Sequence, residues 1–538
     1  MAKKDIKYQV SMEELKSFAA EDGRKNMYRP GFSRLKDYDY RRFFAKRMLI
    51  YLFLAAFCVA FMLFLSVSTS PLYTDYCDGD SSIFMLIGKG ITLGKRVYAD
   101  YFDHKGPILF YLNALGFFLN SSKSGVLIVQ CVLMSLTAIF MFKTARIFTK
   151  TVRSIICVII TVLAFAATIS DGNLSEEYCL LFCMIPIYLS LKHYTRSPKD
   201  KHPPLYMGIY GMCFAVCAFI RINNGIMIGG IVLVALITDF AQGYVKNAFK
   251  NLLAFFIGFA AVAVPICVFF IAKGSFSDMI FATFTFNFLY ASEGSSIKTA
   301  ETLWEMLRWI LPVLSLLLIT TLFAKRLGAR VASIIAAISV FALIPALMGF
   351  AYTHYYTTLI PLVLIYCAIF FYIATQRITF WSVLLCIVMI VPVGGYFASA
   401  YDTIIYYADR LDKQNNPVIY SDMHTSVHYS AETLSALIPE EDRDSVFGYD
   451  ISAAWFLEAD IMPCFRLFTL QESWAEHYGE FGREINQMMI DTPPKWLVIH
   501  NKDIIESRQL LNIIDENYEF VSEFGYDLLL KHKENGSA

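Results

Sequence analysis

Apolar runs of about 20 residues recur between residues 48 and 398, and each is long enough to cross the hydrocarbon core of a bilayer as an α-helix. A helix is the form such a run must take there, because it satisfies its own backbone hydrogen bonds where water is absent. We read eleven spans, at 48–69, 125–143, 153–170, 178–192, 205–220, 225–241, 251–272, 309–324, 331–349, 355–374 and 379–398. Composition agrees: 57% of the 538 residues are hydrophobic, and the mean hydropathy is +0.50, above the apolar share of soluble domains. Lys plus Arg (46) balance Asp plus Glu (46), so nucleic acid is not an expected partner. The expected class is a polytopic α-helical membrane protein.

Loop charges orient the bundle. The 143–153, 192–201 and 325–330 segments carry four, four and three basic residues, and Arg41, Arg42, Lys46 and Arg47 abut the first span. Basic loops stay in the cytoplasm. Residues 1–47 therefore read as a cytoplasmic tail, and an odd number of spans puts residues 400–538 outside. That last stretch returns to a mixed charged composition. Strand patterns at 445–449, 496–500 and 528–531 and helical ones at 430–437, 473–490 and 504–517 predict a small extracytoplasmic α/β domain. Ten of the twelve cysteines fall in apolar runs as packing residues. Cys77 and Cys464 fall in outer segments, and nothing in their spacing requires a disulfide. His424 and His428 read as surface polar residues.

The 70–124 loop breaks the charge rule. It lies outside yet carries five Lys/Arg, with Asp75, Asp78, Asp80, Asp100 and Asp103 among them. Charges that oppose sorting need another reason, and function is one. The loop contains two helical pieces, Ser81–Leu93 and Ile108–Leu119, too short to span and expected at the outer interface. Asp80 precedes the first as an expected N-cap. A carboxylate at that place can take a proton from an attacking hydroxyl, with Asp78 in support. Asp103-His104-Lys105-Gly106-Pro107 precedes the second. A lysine beside a helix N-terminus suits a phosphate, through its charge and the aligned N–H groups.

Further candidates gather at the same level. Glu176 and Glu177 start the fourth span, either as an ordinary acidic helix start or as a second acidic group facing Asp80. Arg221 sits in a very short outer turn, where an arginine must be paired or line a wet cavity. His354 and Tyr355 stand at the outer entry to the tenth span, His354 as a phosphate contact or metal ligand. The glycines at 88, 90 and 94 have the wrong spacing for a dinucleotide fingerprint, and no G-x-S-x-G elbow is present.

Taken together, Asp80-Ser-Ser-x-Phe84, Gly90…Gly94…Tyr98-Ala-Asp100-Tyr-Phe-Asp103-His-Lys-Gly-Pro107, Asn173-x-Ser-Glu176-Glu177 and His354-Tyr-Tyr…Pro361 resemble the GT-C type membrane glycosyltransferases of the protein O-mannosyltransferase and lipid A aminoarabinose transferase superfamily, in its bacterial branch. The likeness covers about residues 45–400. It implies a GT-C-like transmembrane domain over 48–399 and an enzyme that transfers a sugar, with inversion, from a polyprenyl-phosphate donor to a glycan, lipid or protein acceptor at the outer leaflet. It also implies Asp80 as general base, Glu176 or Glu177 at the second acidic position, and Lys105 on the donor phosphate, with Arg221 and His354 able to add charge. Asp80 is followed by Ser81 where the family has an Asp-Glu pair, which leaves a divalent metal open. The rival readings are a transporter or flippase of lipid-linked saccharides, and a polymerase or ligase. A transporter would place ionisable groups near the midplane, and these spans hold few.

Overall fold

The computed structural model describes residues 40–287, 289, 300–347, 352–374, 380–414 and 427–533. Most of the expected cytoplasmic tail, and His424, lie outside them. The chain begins with α1 (Tyr40–Leu65), and the outer loop then forms α2 (Asp80–Thr92) and α3 (Pro107–Leu119). The bundle continues with α4 (Lys123–Phe148), α5 (Thr151–Phe165), α6 (Ser175–Arg196), α7 (Pro204–Arg221), α8 (Ile226–Ala241) and α9 (Val245–Ala272). It closes with α10 (Ala300–Leu322), α11 (Ala329–Leu347), α12 (Ile360–Ala374) and α13 (Phe380–Lys413). Leaving aside α2 and α3, these helices fall on the eleven expected spans. Among the described residues, six segments are by themselves long and apolar enough to cross a membrane. One of the six, Pro204–Ala241, contains both α7 and α8, joined by the 3-10 turn Ile222–Gly225. The protein is a multi-pass membrane protein.

Helices approach closely where side chains vanish. A Cβ on Gly211 of α7 would lie 2.0 Å from the Phe255 carbonyl of α9, and one on Gly258 of α9 would lie 1.9 Å from the Gly208 carbonyl. Lipid tails offer helices no hydrophobic drive to associate, so backbone contact at small residues supplies the packing instead. The outer-loop helices are buried more deeply than an interfacial position requires. Helix α2 buries Ile83, Phe84, Met85, Leu86 and Ile87, and Phe84 meets Phe110 of α3 edge-on at 6.0 Å.

Beyond α13, which runs past residue 400 to Lys413, the chain builds the expected small α/β domain, called the outer domain for the side on which it is expected. Its elements are α14 (Val427–Ser435), β1 (Val446–Tyr449), α15 (Ala453–Glu458), α16 (Gln471–His477), α17 (Glu480–Asp491), β2 (Trp496–His500), α18 (Arg508–Asn517), β3 (Tyr518–Phe524) and β4 (Asp527–His532). The sheet order is β1-β2-β4-β3, with β1 parallel to β2 and the other pairs antiparallel. The three expected strands are β1, β2 and β4. Strand β3 escaped the sequence reading because it is a charged edge, with Glu519 and Glu523 in a mostly exposed strand. The helix expected over 473–490 is two helices. Tyr478 leaves helical geometry (φ −152°, ψ 90°), and its ring meets Phe281 and Phe481, each at 5.1 Å. Cys77 and Cys464 are free thiols.

The outer domain is docked onto the loop. Phe102 donates its N–H to the Arg466 carbonyl (2.9 Å), and its ring enters a cage of Phe286, Trp474 and Phe481. Burying such a ring contributes about 2 kcal/mol. Lys89 pairs with Asp460, and Tyr101 Oη donates to the Pro463 carbonyl (3.3 Å). The charged loop is thus clamped between bundle and outer domain, and the space left there is the site.

Candidate active site

A cavity of about 430 Å³ opens between the loop, the adjoining ends of the bundle helices and the outer domain. Asp78, Asp80, His104, Lys105, His354 and Tyr355 all line it. The two halves of the charged loop, separate in sequence, meet there: Lys105 Nζ lies 3.5 Å from Asp80 Oδ2.

Asp80 is not the N-cap it was expected to be. Gly79 takes the cap position at φ 101°, a conformation that favours glycine, and Asp80 becomes the first residue of α2 with no capping bond. Its carboxylate is therefore free to face the cavity, where its side chain keeps 36% of its exposure. Burial pushes the Asp80 carboxyl up, but Lys105, His354 and Arg221 outweigh it and hold the group below the usual carboxylate range.

Lys105 is 4% exposed and held on all sides. Its backbone N–H donates to Asp103 Oδ1 (2.8 Å), and its carbonyl accepts from Tyr98 Oη (2.8 Å). Its Nζ donates to His104 Nε2 (3.0 Å). Since an ammonium only donates, Nε2 accepts, and the imidazole proton sits on Nδ1. Burial, and then the neighbouring Lys105 charge, push His104 well below its usual pKa, so it is neutral. Burial raises Asp103, against the pull of Lys105. The Lys-Gly-Pro order has a steric cause. Gly106 donates its N–H to the Ile220 carbonyl (2.8 Å), and a Cβ there would lie 2.2 Å from the Phe219 carbonyl. Pro107 then opens α3. Gly106→Ala must push the loop off the end of α7. We expect a loss of about 1–3 kcal/mol, as for overpacking in a core, seen as a melting temperature several degrees lower in detergent. An unchanged melt would show that the loop has slack.

The neighbouring acids separate. Glu176 Oε1 accepts from Arg221 Nη1 at 2.7 Å, and the Arg221 guanidinium lies over the Tyr355 ring at 4.3 Å. Tyr355 in turn meets His354 edge-on at 4.7 Å. Glu177 points elsewhere, accepting from Gln130 Nε2 (2.9 Å) and the Asn173 N–H (3.1 Å). Neither glutamate lines the cavity, and Arg221 stands behind the wall that Tyr355 forms. Asp78 accepts from the Gly79 N–H (2.6 Å) and from Ser452 Oγ, tying the loop to the outer domain.

Two sets of lining residues lay beyond sequence reasoning. Thr469, Leu470, Ser473 and Trp474 descend from the outer domain, and Ser68, Ser170 and Asp171 come from the ends of the spans. None belongs to a recognisable motif, and only Asp171 offered a signal, as an acid in an outer turn. For a divalent metal, the cavity already gives Asp80 a cationic neighbour in Lys105. Among the described residues, three candidate ligands come within 4.8 Å of one another at another place, Asp75, His428 and Glu458. There Glu458 already accepts from the Tyr76 N–H (2.6 Å) and pairs with His428 Nδ1 (2.9 Å).

A family model described as putative competence-induced protein Ccs4 N-terminal domain matches residues 42–377. No curated protein matches the chain. Among solved structures, ArnT from Cupriavidus metallidurans bound to undecaprenyl phosphate aligns with a TM-score of 0.56 at 10% identity, covering 91% of this chain and 98% of that one. The apo state of the same ArnT aligns with a TM-score of 0.52 at 11% identity, covering 90% and 98%. The likeness is one of fold: the chain has the GT-C architecture expected from its motifs.

Proposed function

The chain belongs to the family of the putative competence-induced protein Ccs4 N-terminal domain, and from its site we propose that it is a membrane glycosyltransferase. It transfers a sugar from a polyprenyl-phosphate donor to a hydroxyl of a cell-envelope glycan, lipid or protein, on the outer face and with inversion. One observation carries this reading: in a GT-C fold, a cavity-facing carboxylate, Asp80, lies 3.5 Å from a buried ammonium, Lys105, where two helices begin. The ArnT structure that shares the fold is bound to undecaprenyl phosphate. The basic inner loops support a cytoplasmic N-terminus and an extracytoplasmic C-terminal domain.

The chemistry follows from charge. The acceptor oxygen attacks the anomeric carbon while the bond from that carbon to the phosphate oxygen breaks. Asp80 takes the acceptor proton. The leaving phosphate gains negative charge, which Lys105 and His354 stabilise from the cavity wall. Arg221, held by Glu176, adds positive potential from behind Tyr355 and fixes that ring. Without donor, Lys105 is the counter-ion of Asp80. A donor phosphate competes for the same ammonium and frees the base only once the donor is in place.

The test is reconstitution of the full chain in liposomes with polyprenyl-phosphate hexose. We expect release of polyprenyl phosphate and a product of inverted anomeric configuration. Movement of intact donor across the bilayer with no bond cleaved would instead establish a transporter.

A further inference from the structure

Besides Asp78, Asp80 and Asp103, the cavity is lined by a carboxylate that no motif marks. This is Asp171, with its side chain 39% exposed. It lies in a turn of unusual backbone: Ser170, Asp171, Gly172 and Asn173 have φ of 42°, 66°, 83° and 60°. L-residues visit this region singly, so three of them around one glycine must be imposed by their surroundings. The surroundings are specific. The Asp171 N–H donates to Tyr407 Oη (2.9 Å), and its carbonyl accepts from the Ser68 N–H (3.0 Å). Gly172 packs so closely on Ser66 that a Cβ would lie 2.1 Å from Ser66 Oγ. Asn173 gives its N–H to Glu177, and its Nδ2 donates to Ser81 Oγ and Asn113 Oδ1, each at 3.0 Å. Ser81 adjoins Asp80. The network therefore fixes the Asp171 turn relative to the residue next to the proposed base.

Asp80 and Asp171 have separate counter-charges. Asp80 faces Lys105 (3.5 Å), whereas Asp171 Oδ1 accepts from Tyr407 Oη (2.9 Å) and faces Arg410 Nη1 at 3.9 Å. Those contacts use one oxygen of Asp171. We propose that Asp171 is an acceptor-binding residue of this cavity, its carboxylate taking hydrogen bonds from the hydroxyls of a sugar-like acceptor and turning one hydroxyl toward Asp80. Tyr407 and Arg410 orient it, and Glu177 is a positioning residue that holds the turn. This assignment rests on the glycosyltransferase reading above. It gives the buried Glu177, which does not reach the cavity, a defined purpose.

The experiment uses the reconstituted full chain, polyprenyl-phosphate hexose as donor and octyl glucoside as acceptor probe. It reads the ratio of transfer to octyl glucoside over hydrolysis of the donor by water. That ratio is insensitive to the amount of folded enzyme. Asp171→Asn is expected to lower the ratio about 10-fold or more, and Asp171→Glu to recover most of it, because a carboxylate bond to a hydroxyl is lost and then restored. A ratio unchanged in Asp171→Asn, whether or not both rates fall together, overturns the assignment and leaves the glycosyltransferase reading intact. A wild-type chain that cleaves no donor overturns that reading itself and this assignment with it.

Discussion

Asp80→Asn is expected to lower kcat for sugar transfer by about 10²–10⁴-fold, the usual worth of a positioned general base, without raising the donor KM. The substitution keeps shape and volume and removes the negative charge, and with it the ability to accept a full proton. It also takes the counter-ion from Lys105, 3.5 Å away. The ammonium is then left with His104 Nε2 and is freer to meet a donor phosphate. A lower kcat with donor KM equal or reduced is therefore the signature of a base that also masks the lysine. A purely structural role predicts a different pattern, with less folded protein and both parameters worsened. Because Gly79 rather than Asp80 occupies the cap position of α2, the amide should not unravel the helix, and the variant should insert and melt as the wild type does. Unchanged turnover in a well-inserted variant would remove Asp80 from the mechanism.

How much of this was legible in the sequence depends on which physical term decides each feature. The spans were readable because bilayer thickness sets helix length, and the helices fall on them. The charged loop was readable because five Lys/Arg and five Asp stand together between two apolar runs. The meeting of Asp80 with Lys105 was not given by spacing, since 24 residues and the α2–α3 packing lie between them. Glu176 and Glu177 show the limit most clearly. Adjacent helix residues point about 100° apart, so one can turn to Arg221 and the other to Gln130. Which one does so is set by the rotation of α6 in the bundle, and no local pattern records that. The outer domain's share of the cavity was equally hidden. Thr469, Ser473 and Trp474 reach the site because Phe102, Lys89 and Tyr101 dock that domain onto the loop. The strand missed at 518–524 is a mostly exposed edge, where charge rather than burial shapes the sequence.

Lys105→Met should show two effects that separate its two roles. The first is on the donor. Removing one preorganised charge from a developing anion costs about 10²–10³-fold in rate, and the loss should appear in kcat/KM for the polyprenyl-phosphate donor. The second is on pH. Asp80 works as a base only when ionised, so activity falls as pH drops through its pKa. Burial raises that pKa, while Lys105, His354 and Arg221 lower it, and at present the lowering wins. Methionine removes the ammonium that lies 3.5 Å from Asp80 and leaves the burial in place. The Asp80 pKa must then rise, and the acidic limb of the kcat/KM profile must move to higher pH. Lys105→Arg keeps the charge, so its limb should stay low even if its different shape weakens donor binding. A limb that does not move in Lys105→Met, with donor affinity lost, would mean that the lysine serves the phosphate alone and that the 3.5 Å pairing with Asp80 has no part in setting the base.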